Sequence, residues 1–86
     1  MPTVLRAGSW VVRIYAPPRE HPPPHVHVVH EGAGQAIIDL GGVDTPPAIR
    51  AIHRMRSQEA LEAYRLVERH QPQLLSAWEA PHGKVD

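Results

Sequence analysis

The sequence of 86 residues contains no cysteine and a single lysine, Lys84. Without cysteine the chain can form neither a disulfide framework nor a metal site made of thiolates. Its formal net charge is zero, from nine basic and nine acidic residues, which argues against a globally basic nucleic-acid-binding protein. The composition is compatible with a reducing compartment, and we expect a cytoplasmic protein.

Long apolar runs are also missing. No stretch reaches the roughly 20 apolar residues that a membrane-spanning helix needs, and residues 1–12 lack the apolar run of a secretory signal peptide. We therefore expect no membrane association. A chain of this length is expected to form a single domain, residues 1–86.

Proline and histidine are abundant instead, with ten prolines and seven histidines. Residues 21–30, HPPPHVHVVH, contain three of these prolines and four of these histidines. Histidine is the commonest metal ligand and the side chain that ionises nearest to neutral pH. This segment is therefore the first candidate for a functional site.

Strand signals come first along the chain. Residues 11–15, 25–30 and 35–40 are rich in β-branched residues, and turn signals separate them. One of these turns is predicted at residues 32–34. Residues 49–55 fit a fourth, edge strand better than an amphipathic helix.

From Ser57 onward the apolar spacing changes to three and four residues, which predicts helices. Ser57 can cap the first helix, and a second helix is predicted to begin near Pro72. The stripe of the first helix that faces the core is predicted to consist of Ala60, Leu61, Tyr64 and Val67. The apolar face of the second helix is predicted to consist of Leu74, Leu75 and Trp78. Strands followed by helices predict an α+β fold, a small antiparallel three- to four-stranded β-meander followed by two C-terminal helices packed on one face.

Side chains alternate between the two faces of a strand. The face under the helices is predicted to carry Val12, Ile14, Val26, Val28 and Ile38. The opposite, open face is predicted to carry Arg13, Tyr15, His25 and His27. His30 is predicted to point away from this group, on the side of the valines.

His25 and His27 are predicted to leave one face of a strand about 6.5–7 Å apart, a separation that zinc can bridge. His21 lies before the prolines and can swing in as a third ligand. One hypothesis is therefore a site for zinc or another divalent metal at His21, His25 and His27. The carboxylates that can complete this site are those of Glu20, Glu31 and Asp39.

A metal-free ribonuclease is a second hypothesis for the same histidines. One of His25 and His27 would take the proton of the 2′-hydroxyl, and the other would protonate the leaving oxygen. Arg13 would stabilise the negative charge that develops on the phosphorane oxygens.

Binding is a third hypothesis. Tyr15 and the histidine rings offer stacking surfaces, and several arginines offer phosphate contacts. The binding residues are predicted to be Arg13, Tyr15, Arg50, Arg54 and Arg56. The same face can instead bind a protein partner or form a homodimer. In a purely structural alternative, the prolines pack as a rigid arm and the imidazoles hydrogen-bond to loop carbonyls.

Four segments together resemble a bacterial family called domain of unknown function 4160. The segments are Met1-Pro2-Thr3-Val4-Leu5-Arg6, Arg13-Ile14-Tyr15, Pro23-Pro24-His25-Val26-His27-Val28, and the closing helix with Leu74, Leu75 and Trp78. The third segment is the most specific, and the resemblance covers nearly the whole chain.

The resemblance implies that His25 and His27 are site residues, and it supplies no established activity, so whether the chain is an enzyme stays open. Family members are often encoded beside another small protein, in an arrangement that resembles toxin–antitoxin pairs. We therefore expect a binding or regulatory module of such a pair, with a small protein partner encoded nearby and nucleic acid as a further partner. The alternative is a hydrolase, either metal-dependent or a metal-free ribonuclease, that acts through His25 and His27.

Overall fold

The computed structural model describes residues 3–17, 19–31, 34–42 and 44–82. Five strands come first and two helices follow. The strands are β1 (Thr3–Ala7), β2 (Trp10–Arg13), β3 (His25–His30), β4 (Gln35–Asp39) and β5 (Ala48–His53). The helices are α1 (Ser57–Arg69) and α2 (Gln71–His82). Neither helix of the described residues is long and apolar enough to cross a membrane.

The strands form one antiparallel sheet in the order β1-β2-β3-β4-β5, so every strand pairs with the next one along the chain. The predicted α+β fold with two C-terminal helices is confirmed, but the sheet has five strands rather than three to four. The missed strand, β1, pairs with β2 across the two-residue turn of Gly8 and Ser9. Gly8 adopts φ = 60°, a conformation that glycine reaches without steric cost. Of the predicted turn at residues 32–34, Gly32 and Ala33 lie outside the described residues.

The core lies between one face of the sheet and the two helices. Every strand residue predicted for this face is buried, namely Val12, Ile14, Val26, Val28 and Ile38. From the helices, Ala63, Leu66, Val67, Leu74 and Trp78 join the same cluster. The alternation along the strands is therefore confirmed, and it fixes which side chains β3 presents on its other face.

Helix α1 begins at Ser57, but its capping residue is Arg56 rather than Ser57. The Glu59 carboxylate accepts a hydrogen bond from the backbone N–H of Arg56 at 3.1 Å, as the glutamate of a capping box does. Of the predicted stripe, Ala60 and Val67 are buried, whereas Tyr64 is half-buried and Leu61 is 46% exposed. The buried residues of α1 are Ala60, Ala63, Leu66 and Val67.

Helix α2 buries Trp78 and Leu74 completely, as the sequence predicted. Its first residue, Gln71, anchors the helix to the segment between β4 and β5. The Gln71 Nε2 group lies 2.6 Å from the carbonyl oxygen of Leu40, 3.1 Å from that of Gly42 and 3.0 Å from that of Thr45. A single side chain therefore links the start of α2 to this segment, in which the backbone groups of Gly42 and Thr45 also bond to each other.

Candidate metal centre

His25 and His27 lie at the start of β3 and leave the same face of the sheet, as predicted. Arg13 of β2 is the cross-strand neighbour of His27, and Asp39 of β4 is the neighbour of His25. The prediction that both rings stand on an open face is wrong for His25, which is only 4% exposed. Trp78 of α2 packs against the His25 ring with the ring centroids 5.1 Å apart. The helix therefore covers the end of the strand that the sequence analysis left open.

Glu20, in the connection between β2 and β3, reaches both histidines. Its Oε2 atom lies 3.0 Å from Nε2 of His25, and its Oε1 atom contacts Nε2 of His27. One ligand atom from each of the three residues falls within 4.8 Å of the other two. The sequence analysis placed His21 in this third position and Glu20 among the carboxylates. The structure instead brings Glu20 into the cluster, while the side chain of His21 is exposed.

The orientation of the His25 ring is fixed by its other nitrogen. Nδ1 lies 2.8 Å from the carbonyl oxygen of Pro23. A carbonyl can only accept a hydrogen bond, so Nδ1 must carry the proton. In the neutral ring, the lone pair of Nε2 then points at the carboxylate of Glu20, which is also an acceptor. This contact becomes favourable when a proton or a metal cation lies between the two atoms.

The electrostatics of the cluster favour an ionised carboxylate. Partial burial alone opposes ionisation of Glu20. Hydrogen bonds and charge interactions with His27 and His25 outweigh that effect, so the pKa of the Glu20 carboxyl lies below its ordinary value of 4.5. These interactions come from protonated rings; a metal cation that displaces the two Nε2 protons would meet one negative charge and two imidazole nitrogens.

Aromatic rings surround the two histidines. The Tyr15 ring meets the edge of the His27 ring with centroids 5.1 Å apart, and the Arg19 guanidinium carbon lies 4.2 Å from the centroid of the Tyr15 ring. Tyr15 and Arg19 also line a shallow groove of about 510 Å³. Its other lining residues are Val4, Ile14, Ala16, Ala77 and Pro81. The cluster thus adjoins a largely apolar groove that carries one cationic side chain.

The predicted arginines do not converge on the histidines as a group. Arg13 is the neighbour of His27 across the strands, whereas Arg50 forms an ion pair with Asp39. Arg54 and Arg56 line a second groove with Glu59 near the start of α1. Sequence reasoning missed Arg19 as a site residue, and its position directly before Glu20 was the available signal.

Comparison with known proteins gives one match. A family model described as "Domain of unknown function (DUF4160)" matches residues 9–79, a range that contains both helices' buried faces and all of β2 to β5. No curated protein and no solved structure matches the chain. Because the family model spans well over half of the 86 residues, the chain belongs to the DUF4160 family.

Proposed function

We propose that this protein binds a divalent transition metal of the zinc type through Glu20, His25 and His27, and uses it for hydrolysis. The observation that carries the proposal is the meeting of one carboxylate with two imidazole Nε2 atoms. The contact from His25 Nδ1 to a backbone carbonyl supports it, because metal-ligating histidines commonly hold their other nitrogen in this way.

The type of ligand favours a catalytic rather than a structural metal. Structural zinc sites are closed by four protein ligands, whereas catalytic sites use three and leave a position for water. Two histidines and one glutamate are one of the known catalytic sets. A metal held there would make its bound water a nucleophile near neutral pH.

The same geometry disfavours the metal-free ribonuclease. That mechanism needs one histidine free to take a proton and another free to give one. Here both Nε2 atoms face the same carboxylate, so Glu20 engages the nitrogen that each ring would need for proton transfer.

The adjoining groove indicates the class of substrate. Arg19 can hold an anionic group, because its planar guanidinium matches carboxylate and phosphate oxygens. The apolar walls, which include Ile14, Ala77 and Pro81, suit a substrate with a small apolar group. We therefore assign the site to small anionic esters, with the scissile bond placed toward His27 and the anionic group near Arg19.

Metal analysis of protein purified without a histidine tag tests the proposal. We expect about one equivalent of zinc per chain, and Glu20→Gln or His27→Ala to abolish its binding in a calorimetric titration. His21→Ala is the matched control, because this neighbouring exposed histidine lies outside the cluster. Zinc that leaves the thermal stability of the wild type unchanged, or that binds equally to Glu20→Gln, would overturn the proposal.

A second candidate is the binding or regulatory module of a toxin–antitoxin-like pair. It is supported by the sheet face opposite the core, where Val11, Val29 and Ile37 are only half-buried. Arg13 and His53 flank these residues around a shallow depression. Co-expression with the neighbouring gene product tests this candidate. Capture of that product by the wild type and loss of capture in Val29→Glu would support it, and no capture by the wild type would refute it.

A further inference from the structure

A second group of side chains lies at the opposite end of β3 from Glu20, His25 and His27. His30 ends the strand, Ser9 lies in the turn between β1 and β2, and Glu59 lies in the first turn of α1. The Oγ atom of Ser9 is 2.9 Å from Nε2 of His30. On the other side of the ring, Nδ1 of His30 is 3.0 Å from Oε2 of Glu59. A hydroxyl, an imidazole and a carboxylate thus follow one another in a line.

Glu59 and Ser9 determine which nitrogen of the His30 ring carries the proton. An ionised Glu59 can only accept, so it favours the His30 tautomer with the proton on Nδ1. The other nitrogen, Nε2, then accepts the proton of the Ser9 hydroxyl. This polarity is the one by which an acid-oriented histidine activates a serine nucleophile.

Neighbouring residues hold Ser9, His30 and Glu59 in place. The Trp10 ring stacks on the His30 ring with centroids 4.4 Å apart and planes 29° from parallel. The backbone N–H of Arg56 donates to Glu59 at 3.1 Å. The carbonyl oxygen of Ser9 accepts from the backbone N–H of Glu31 at 2.8 Å.

The contact between His30 and Glu59 is at ion-pair distance without the alignment of a hydrogen bond, since Nδ1 has no hydrogen-bond partner among the described residues. Catalytic hydrogen bonds are often long or poorly aligned before a substrate binds, so the 3.0 Å distance is compatible with a carboxylate that orients the ring. Ser9 itself is exposed, as a nucleophile that must reach a substrate has to be.

We propose that Ser9 is an activated nucleophile that accepts the acyl group of small activated carboxylic esters. The Ser9 oxygen forms a bond to the ester carbonyl carbon while its proton passes to Nε2 of His30. The bond from that carbon to the leaving oxygen then breaks, and His30 returns the proton to the leaving group. The products are an acyl-serine and a free alcohol or phenol, so no oxidant or further reactant is needed. This site does not depend on the metal centre.

The test is acylation of the full-length chain by 4-nitrophenyl acetate, followed by intact mass measurement and peptide mapping. The other serines, Ser57 and Ser76, are internal comparators in the same sample. We expect Ser9 to be acetylated at least about tenfold faster than either of them. Asparagine in place of His30 should reduce labelling of Ser9 to the comparator rate.

Two further variants keep the test decisive. Glu59→Gln should slow acetylation of Ser9 about tenfold or more while Nε2 stays in place, because the carboxylate orients the ring. His21→Asn, which changes an exposed histidine outside this site, should label like the wild type. Circular dichroism verifies that each variant is folded. Equal labelling of the three serines in the wild type, or unchanged labelling of Ser9 in folded His30→Asn or Glu59→Gln, would overturn the proposal.

Discussion

The His25 ring donates a hydrogen bond from Nδ1 to the carbonyl oxygen of Pro23, two residues before it in the chain. The prolines of this segment therefore do more than stiffen a connection, because one of them decides which imidazole nitrogen faces Glu20. A structural hydrogen bond to a loop carbonyl and a metal site looked like competing hypotheses from the sequence. In the structure the two are compatible, because Nδ1 of His25 makes the hydrogen bond while Nε2 of the same ring faces Glu20.

Removal of the His25 side chain is expected to cost more stability than removal of His27. His25 is 4% exposed and packs on the completely buried Trp78, so its truncation leaves a cavity in the core. We expect His25→Ala to lower the free energy of unfolding by about 2–3 kcal/mol and His27→Ala by about 1 kcal/mol in metal-free protein. Urea denaturation measures both values. A larger loss for His27→Ala would show that the burial described for His25 is wrong.

Zinc is expected to raise the melting temperature of the wild type. A ligand present at 100 times its dissociation constant stabilises a folded protein by about 2.7 kcal/mol, which corresponds to roughly 10–20 °C for a domain of this size. Differential scanning calorimetry with and without zinc measures the shift. It should persist in His21→Ala and disappear in Glu20→Gln, whereas an equal shift in both variants would point to binding elsewhere.

The sequence predicted the core of this fold better than its site. Period-two alternation was sufficient to assign Val26 and Val28 to the core and His25 and His27 to the other face, because a strand offers only two faces. It could not show that α2 reaches the end of β3, since that contact depends on helix placement. Nor could it choose between Glu20 and His21 as the third ligand, because adjacent residues in an irregular connection have no fixed direction.

The sequence was also insufficient to predict β1 and the buried face of α1. Thr3–Ala7 lies on the edge of the sheet and none of its residues is fully buried, so its periodic signal is weak. In α1 the prediction placed Leu61 in the core-facing stripe because it is large and apolar, whereas the structure exposes Leu61 and buries the small Ala63. The space between the helix and the sheet determines which of these side chains is buried, and the sequence does not show that space.

Glutamate in place of Gln71 is expected to destabilise the protein. The two N–H groups of the Gln71 amide lie within hydrogen-bond distance of three backbone carbonyls, and a carboxylate of the same shape would present an acceptor to each of them. We expect Gln71→Glu to lower the free energy of unfolding by about 2–3 kcal/mol near neutral pH. Gln73→Glu is the control, because Gln73 is exposed on the same helix. Similar losses in both variants, measured by chemical denaturation, would contradict the assigned role of Gln71.

Alanine at Gly34 is expected to be far more damaging than alanine at Gly42. A methyl group at Gly34 would collide with the backbone of His53 and Arg54, whereas one at Gly42 meets nothing within 4 Å. Backbone atoms of the sheet cannot yield as a flexible side chain can. We expect Gly34→Ala to cost about 3 kcal/mol or more, and Gly42→Ala to stay within about 1 kcal/mol. Thermal denaturation of the two variants decides whether β4 and β5 approach each other this closely.

Glu59 is expected to make stability depend on pH in the acidic range. The hydrogen bond from the Arg56 backbone, helped by His30, holds the pKa of the Glu59 carboxyl below its ordinary value of 4.5. A lowered pKa in the folded state stabilises the protein above the unfolded value, and this contribution is lost as the pH falls through the folded value. The wild type should therefore lose its advantage over Glu59→Gln as the pH falls below about 4.5. Urea denaturation at several pH values measures this, and a constant difference would refute it.

In this meander topology, the two sites differ in how much of the structure must form before their residues meet. Glu20 and His27 are only 7 positions apart in the chain, so their contact closes a short loop, and short loops close in well under a microsecond. Ser9 and His30 are 21 positions apart, and Glu59 comes after β5, so their alignment requires the completed sheet with α1 docked on it. The reactivity of Ser9 would therefore report the docking of α1 during refolding, whereas metal binding at the first site also needs α2, which packs on His25.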